Sequence, residues 1–327
     1  MVVKYSFGGD FRQILPIKEH ATRSELTQLS LKGHPFWRYF KIFKLTKNMR
    51  VTKSEKKVNG YYFDEWILKV GDGELNDADD IIELPDELIC NDSNLEDIVF
   101  KNVILSKDWT QIANRAILAP LNVDVTDMNL KILKMLPGEE FIYNSIDEAK
   151  SDDGGIENKI LLDEYLHSLS PTALPPHDLK LKDHAIIMLI RNLNIRMGLC
   201  NGTRLEVVQM HKHILECKNL TGKRKGEIEL IPRITLNLSG FYPFVLSRHQ
   251  FPVRLAFSMT INKAQGQTFE FVGIDLRTDV FAHGQLYVSL SRARGWDKVK
   301  ILLHPDNTSK KVKNIVYKEV LSNRLFD

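Results

Sequence analysis

Residues 254–295 decide more about this chain than any other stretch. RLAFSMTINKAQGQTF is followed, after a short apolar run, by HGQLYVSLSRARG. The first piece is an apolar strand that delivers a polar loop. Loops at the C-terminal ends of strands face the ligand crevice in α/β folds. In that loop Thr260 and Asn262 are suited to phosphate oxygens, and Lys263 supplies charge. Gly266 lets a ligand approach the backbone closely, and Gln267 stands beside it. The alternative is a crowded polar loop with no ligand. The second piece reads as a helix over residues 285–291 that buries Leu286, Val288 and Leu290. Arg292 then sits at the end of an anchored face. An arginine held rigidly at a cleft stabilises the charge that spreads over a γ-phosphate during transfer. Taken alone, a surface arginine in a salt bridge fits as well.

The other end of the chain carries a partner segment, GGDFRQILP at residues 8–16. Residues 2–7 read as a strand, and the two glycines turn it into a loop. Asp10, Arg12 and Gln13 follow that turn. A glutamine there is placed to orient an attacking water or to sense a γ-phosphate. A second short strand is predicted over residues 41–45, and Arg50 after it is a candidate second arginine. Each of these residues singly also fits a structural hydrogen bond.

Between these ends, the spacing predicts a helix over residues 24–40 and another over 59–70. A strand at 116–120 leads into a helix over 122–136. Residues 70–100 lack Lys and Arg and are rich in acids. They read as a solvated acidic loop, which would face away from a polyanion. Residues 144–176 read as an irregular surface segment. From residue 183 to 245 short alternating strands are separated by turn signals, among them Asn201-Gly202. This region reads as a small antiparallel barrel inserted into an α/β domain. Its TGKRKG hairpin tip carries Lys223, Arg224 and Lys225, which would touch phosphates or simply form a solvated turn.

A net charge of +3 in 327 residues does not by itself argue for nucleic acid, so any basic surface must be local. The three cysteines have no CxxC spacing, which excludes a zinc ribbon and a disulfide framework and points to a reducing compartment. No apolar run approaches the roughly 20 residues a membrane span needs. The short apolar stretch before Gly8 is interrupted by Lys4 and lacks a signal-peptide pattern.

GGDFRQILP, LTKNMRV, RLAFSMTINKAQGQTF and LYVSLSRARG resemble, in this order, motifs of superfamily-one DNA helicases of the petite-integration-frequency (Pif) family. The variant looks closest to helicases of Helitron-type transposons. RAILAPLNVDVTDMN, LPPHDLKLK and MLIRNLNIRMGLCNGTRLEV also fit, so the resemblance covers essentially the whole chain. It implies RecA-like motor domains with ATP and Mg2+ between them, and 5′-to-3′ movement along single-stranded DNA. It also implies duplex unwinding in repair, recombination or transposon replication, and a nuclear location, with the cytoplasm as the alternative.

Carried over, Gln13 is the glutamine near the γ-phosphate, and Arg50 and Arg292 are the arginines that reach ATP. Asp10, Gly266 and Gln267 line the nucleotide. Thr260, Asn262 and Lys263 belong to the motif that couples DNA contact to the ATP site. Many relatives carry His where this chain has Asn262, so a proton-transfer role there is not supported.

The family architecture divides the chain into three parts. Residues 1–40 are a remnant of the first RecA-like domain. Residues 41–182 and 246–327 are the second RecA-like domain. Residues 183–245 are a barrel insertion helping to close around single-stranded DNA.

A P-loop reads GxxxxGK[ST], and this sequence contains none. The acidic Mg2+-binding motif is also missing. YYFDE and ILLDE resemble it, but both follow GGDFRQ, whereas the family places this motif before it. They read as amphipathic helix segments. The expectation is an N-terminally truncated helicase, inactive by itself. A non-catalytic half that binds single-stranded DNA or a partner is the alternative, as is a half completed in trans by the first motor domain. An exposed apolar patch is expected where that domain would dock.

Overall fold

The computed structural model describes residues 6–16, 18, 21–45, 56–90, 94–150 and 163–322. The chain divides into two compact units. One comprises Met1–Val99, Asn114–Asp124 and Met259–Asp327, and the other Phe100–Ala113 and Val125–Ser258.

The first unit is built on a sheet of four strands. Their spatial order is Ser258–Thr260, Arg115–Ala119, Phe271–Leu276 and Val299–Leu303. Phe271–Leu276 runs parallel to both Arg115–Ala119 and Val299–Leu303. Ile117, Leu118, Val272, Ile274 and Ile301 are fully buried, as near-continuous apolar runs in a parallel sheet require. Helix Phe63–Asp72 starts with the Tyr62 amide donating to Glu65 at 3.2 Å and stops at Gly73. It buries Phe63 and Trp66, both 5.1 Å from the Trp296 ring. YYFDE thus lies at the start of an amphipathic helix. Of ILLDE, only Asp163 and Glu164 are described, and they open helix Asp163–Ser168.

Several expectations are corrected here. The region predicted as one helix over residues 24–40 is broken into helix Arg23–Gln28 and two 3-10 turns, Leu31–Gly33 and Pro35–Tyr39. Gly33 and Pro35 interrupt the helical ladder, because proline has no amide hydrogen to contribute. Residues 41–45 are not a strand, and neither are residues 6–7. Residues 2–5 of the first predicted strand, and Arg50 with the rest of TKNMRV, lie outside the described residues. The acidic stretch is not a solvated loop. Ile82, Leu84, Leu88, Leu95 and Val99 are all buried, and strand Ile81–Glu83 pairs antiparallel with Lys311–Lys313. Asp77, Asp79, Glu83, Asp86 and Glu87 face water, Glu96 is buried, and the aliphatic side chains join the core. Phe36, Tyr39, Phe43 and Leu45 are exposed, which puts large apolar side chains on the surface of residues 36–45.

The second unit is antiparallel. Five strands order as Val253–Leu255, Ile186–Leu189, Arg204–Met210, Ile214–Asn219 and Ile228–Pro232. A three-stranded sheet joins Ile234–Leu238, Val245–Gln250 and Ile146–Lys150, and Phe141–Asn144 pairs with Asp178–Leu181. The expected barrel therefore takes the form of several sheets, in a unit wider than residues 183–245. Ile146–Lys150 lies inside the stretch read as irregular, where its exposed Ile146 and charged neighbours hide the strand alternation. What fixes it is Arg248, fully buried, whose guanidinium grips Asp147 at 2.8 and 2.7 Å.

The three cysteines are free, with Cys90 and Cys217 buried. Among the described residues no helix is long and apolar enough to cross a membrane.

Candidate functional site

In the first unit, the turn at residues 10–13 meets two segments distant from it in sequence, the loop at 260–268 and the stretch 283–290, which is helix Gln285–Leu290 with the two residues before it. Strand Ser258–Thr260 ends at the loop, which opens with a 3-10 turn over Ile261–Ala264.

The 10–13 turn is closed by the Gln13 amide donating to the Asp10 carbonyl at 3.1 Å. Asp10 accepts from the Arg12 amide at 3.1 Å and from the Tyr287 hydroxyl at 2.7 Å. Burial, with the negative Asp10 beside it, pushes the Tyr287 phenol well above its ordinary value. The proton therefore stays on Tyr287, which donates. Arg12 forms a two-pronged bridge to Asp72 at 2.7 and 3.0 Å. Gly71 makes room for this bridge, since an added Cβ would meet Tyr287 at 2.6 Å and Arg12 at 2.8 Å.

His283 and Gly284 seat the turn's backbone. The Nδ1 atom of His283 accepts from the Tyr317 amide at 2.9 Å, which leaves the hydrogen on Nε2, 2.9 Å from the Phe11 carbonyl. His283 is therefore neutral in this arrangement. Burial lowers its pKa, opposed by the bond to Phe11. Gly284 sits at φ +74, and a Cβ there would lie 2.3 Å from the Arg12 carbonyl oxygen. Only glycine meets both demands.

The 260–268 loop joins the same cluster through two amides. Gln285 is fully buried; its oxygen accepts from the Phe281 and Ala282 amides at 2.9 and 3.1 Å. Its Nε2 donates to Asn262 at 3.0 Å. Gln265 donates to the Gln13 side-chain oxygen at 3.0 Å, which leaves the Gln13 amide nitrogen as a donor. Gly266 turns the loop at φ +81 and is exposed, as is Lys263, whereas Thr260 is buried.

Arg292 departs from the sequence reading. It neither faces a cleft nor lies on the surface. It is 1% exposed, and its guanidinium donates to the carbonyls of Val288 and Gln267 and to the Ser291 hydroxyl at 2.7–2.9 Å. Gln267 thus contributes its backbone to holding Arg292. The sequence had singled out Asp10, Arg12, Gln13 and the 260–268 loop. It gave no role to His283, Gln285, Tyr287 or Asp72. HGQLY stands directly before the arginine motif, and a buried helix start carrying His, Gln and Tyr was the available signal.

In the second unit, the 221–226 tip joins strands Ile214–Asn219 and Ile228–Pro232. Lys223 and Lys225 are exposed. Arg224 is not available in the same way, because it is bound to Glu227 at 2.7 Å and pairs with Glu229 at 3.3 Å.

Asp147, His167 and His177 lie close enough to hold a cation, with ligand atoms within 4.8 Å of one another. The donor set does not fit one. Arg248 occupies both Asp147 oxygens, Ser145 meets His177 Nδ1 at 2.8 Å, and the two imidazoles stack at 3.8 Å. A buried cation is already in place as the guanidinium.

Residues 2–81 match a PIF1-like helicase family model, and residues 164–210 match one for the 2B domain of DNA helicase Pif1. Among curated proteins, the chain is 33% identical over 181 residues to the ATP-dependent DNA helicase PIF1 of Xenopus laevis. It is 36% identical over 183 residues to that of Rattus norvegicus. Each match covers 55% of this chain and 26% of the relative, so the chain spans about a quarter of their length. Among solved structures, a complex described as two coordinating Pif1 helicases unwinding forked double-stranded DNA superposes at TM-score 0.61 and 21% identity. It covers 96% of this chain and 62% of that one. Bacteroides Pif1 with ADP-AlF3 and single-stranded DNA superposes at TM-score 0.59 and 19% identity, covering 96% and 64%. The fold is that of these helicases, including the 2B insertion.

Proposed function

We propose that this chain is part of a Pif1-type ATP-dependent DNA helicase, carrying the second RecA-like motor domain and its 2B insertion. The observation that carries this reading is the seat of the 10–13 turn. Gln13 bonds Gln265 at 3.0 Å and Asp10 bonds Tyr287 at 2.7 Å, so segments that match helicase motifs in sequence order also meet in space. In this reading Gln13, with its amide nitrogen still a donor, senses the γ-phosphate. Asp10, Gly266 and Gln267 border the nucleotide. Asn262 and Lys263, with Thr260 at the strand end, link it to the DNA track. Lys223 and Lys225 meet DNA phosphates in the second unit, Arg224 less so because of its acid partners. Arg50 and Arg292 are the arginines that reach the nucleotide, Arg292 after releasing its carbonyl partners.

The residues present fit one flank of a triphosphate site. The sequence has no GxxxxGK[ST] and no acidic pair to hold Mg2+ ahead of Gly8, so the phosphate cradle and metal fall outside what these residues supply. ATP, when held by a complete motor, supplies the free energy for movement. This chain's residues orient and sense it. Movement from 5′ to 3′, the Helitron-type relationship, roles in repair or recombination, and a nuclear or cytoplasmic location belong to the same proposal. The engagement of Arg292 with main-chain carbonyls favours a second reading, a non-catalytic half that binds single-stranded DNA or a partner such as the first motor domain.

The test is ATP hydrolysis by the purified chain with and without single-stranded DNA, beside Arg292→Ala. We expect DNA binding with no turnover above the variant. Turnover that the variant loses would mean that phosphate is held without a P-loop, and would overturn the one-flank account.

A further inference from the structure

The second unit holds an open groove of about 720 Å3, part of whose lining, His184, Glu206 and Val208, falls within the residues matched to the 2B-domain model. Its wall is a flat pair of rings, Trp109 on His184, with centroids 4.1 Å apart and planes 7° apart. Its floor is a row across three strands, in which Glu206 lies opposite Lys218 and Lys218 opposite Ile228. Lys107 stands at the rim.

The wall is strained and pinned. His184 and Lys107 both adopt left-handed backbone, at φ +64 and +55, which non-glycine residues rarely do and which concentrates at functional positions. Glu206 holds His184 through Nδ1 at 2.9 Å. The two acids of the groove are thus already engaged, Glu206 with His184 and Asp108 with the Gln111 amide at 3.0 Å. Among the described residues neither Lys107 nor Lys218 has an ion-pair partner. Gly226 also lines the groove, and the exposed Lys223 and Lys225 precede it directly in the chain. The groove therefore combines a stacking surface, an apolar floor residue and uncommitted cations.

We propose that this groove is a subsite for single-stranded DNA, in which one base lies against the Trp109–His184 pair and the flanking phosphates meet Lys107 and Lys218. It rests on the reading of the chain as a DNA helicase segment and adds a stacking contact in the second unit. Stacking is indifferent to base identity, and cations follow the backbone, so the subsite would grip any sequence.

The test is fluorescence anisotropy of a labelled oligo-dT with the full chain, for wild type, Trp109→Ala, Trp109→Phe, Lys218→Gln and Lys263→Glu. The expected result is a loss of about tenfold in Trp109→Ala, recovered to within about threefold in Trp109→Phe, because phenylalanine keeps a stacking face. Lys218→Gln, which removes the charge without setting an acid opposite Glu206, should weaken binding and flatten its salt dependence, with urea unfolding as the check that the fold is kept. Binding by wild type that Lys263→Glu weakens but Trp109→Ala and Lys218→Gln leave unchanged would overturn the groove alone. No binding by any protein would overturn it together with the DNA reading.

Discussion

The Asp10–Arg292 cluster of the first unit and the 218–226 hairpin of the second both carry residues expected to meet phosphate, yet they hold their polar groups in opposite ways. In the cluster nearly every polar atom is spoken for. Arg292 spends its donors on protein oxygens, Gln285 satisfies three partners, and His283 has a defined tautomer. On the hairpin, Lys223 and Lys225 stand in water, and only Arg224 is paired. Unmade hydrogen bonds are costly in a buried site and nearly free in an exposed one. The cluster should therefore couple ligand sensing to folding. The hairpin should act by electrostatics alone and answer to salt.

The largest effect expected is at Arg292. Arg292→Ala strips partners from two buried carbonyls and should cost about 4 kcal/mol in urea unfolding. A loss near zero would break the contrast at its strongest point. Gly284→Ala forces both a left-handed alanine and an overlap with the Arg12 carbonyl, for about 3 kcal/mol. Gly226→Ala is its counterpart on the hairpin. That glycine is also left-handed, at φ +94, but nothing lies within 4 Å of an added Cβ. Only the backbone term of about 1 kcal/mol remains.

His283 gives a pH signature. Burial lowers its pKa below the unfolded value, so the unfolded chain binds more protons there as the solution acidifies. The stability it contributes is complete above the unfolded imidazole pKa of about 6.5 and is lost as pH falls toward the folded value. The slope for one group is at most about 1.4 kcal/mol per pH unit. His177 is shifted the same way by burial and by His167 beside it. His283→Gln should therefore reduce the acid slope without abolishing it, and an unchanged slope would contradict the neutral tautomer. The smallest effect on stability is expected from Lys223→Glu with Lys225→Glu, within about 0.5 kcal/mol. Single-stranded DNA binding should nonetheless weaken and lose about 0.7 of log–log salt slope per phosphate contact removed.

The sheet strands were legible because buried parallel strands are continuous apolar runs. Arg115–Ala119 lies one residue from the strand predicted over residues 116–120. The acidic 70–100 stretch was misread because its charges outnumber the aliphatic side chains that bury. Strand Ile146–Lys150 shows almost no alternation and depends on the distant Arg248. In the site, residue types pointed to Gln13 and the 260–268 loop, but not to how Arg292 is used. A sequence gives a guanidinium's position along a helix, not which carbonyls stand within 3 Å of it. The Trp109–His184 pair left no trace in sequence, since 75 residues separate two rings that only tertiary structure brings together.

The most direct test of the central claim, that this chain holds the strand-binding part of a helicase motor, is its affinity for single-stranded DNA measured across a salt series. The account predicts binding at low salt that falls along a straight log–log line, with a slope of about −1.4 or steeper, equivalent to two or more phosphates. Absence of binding at low salt, or binding that ignores salt, would contradict it.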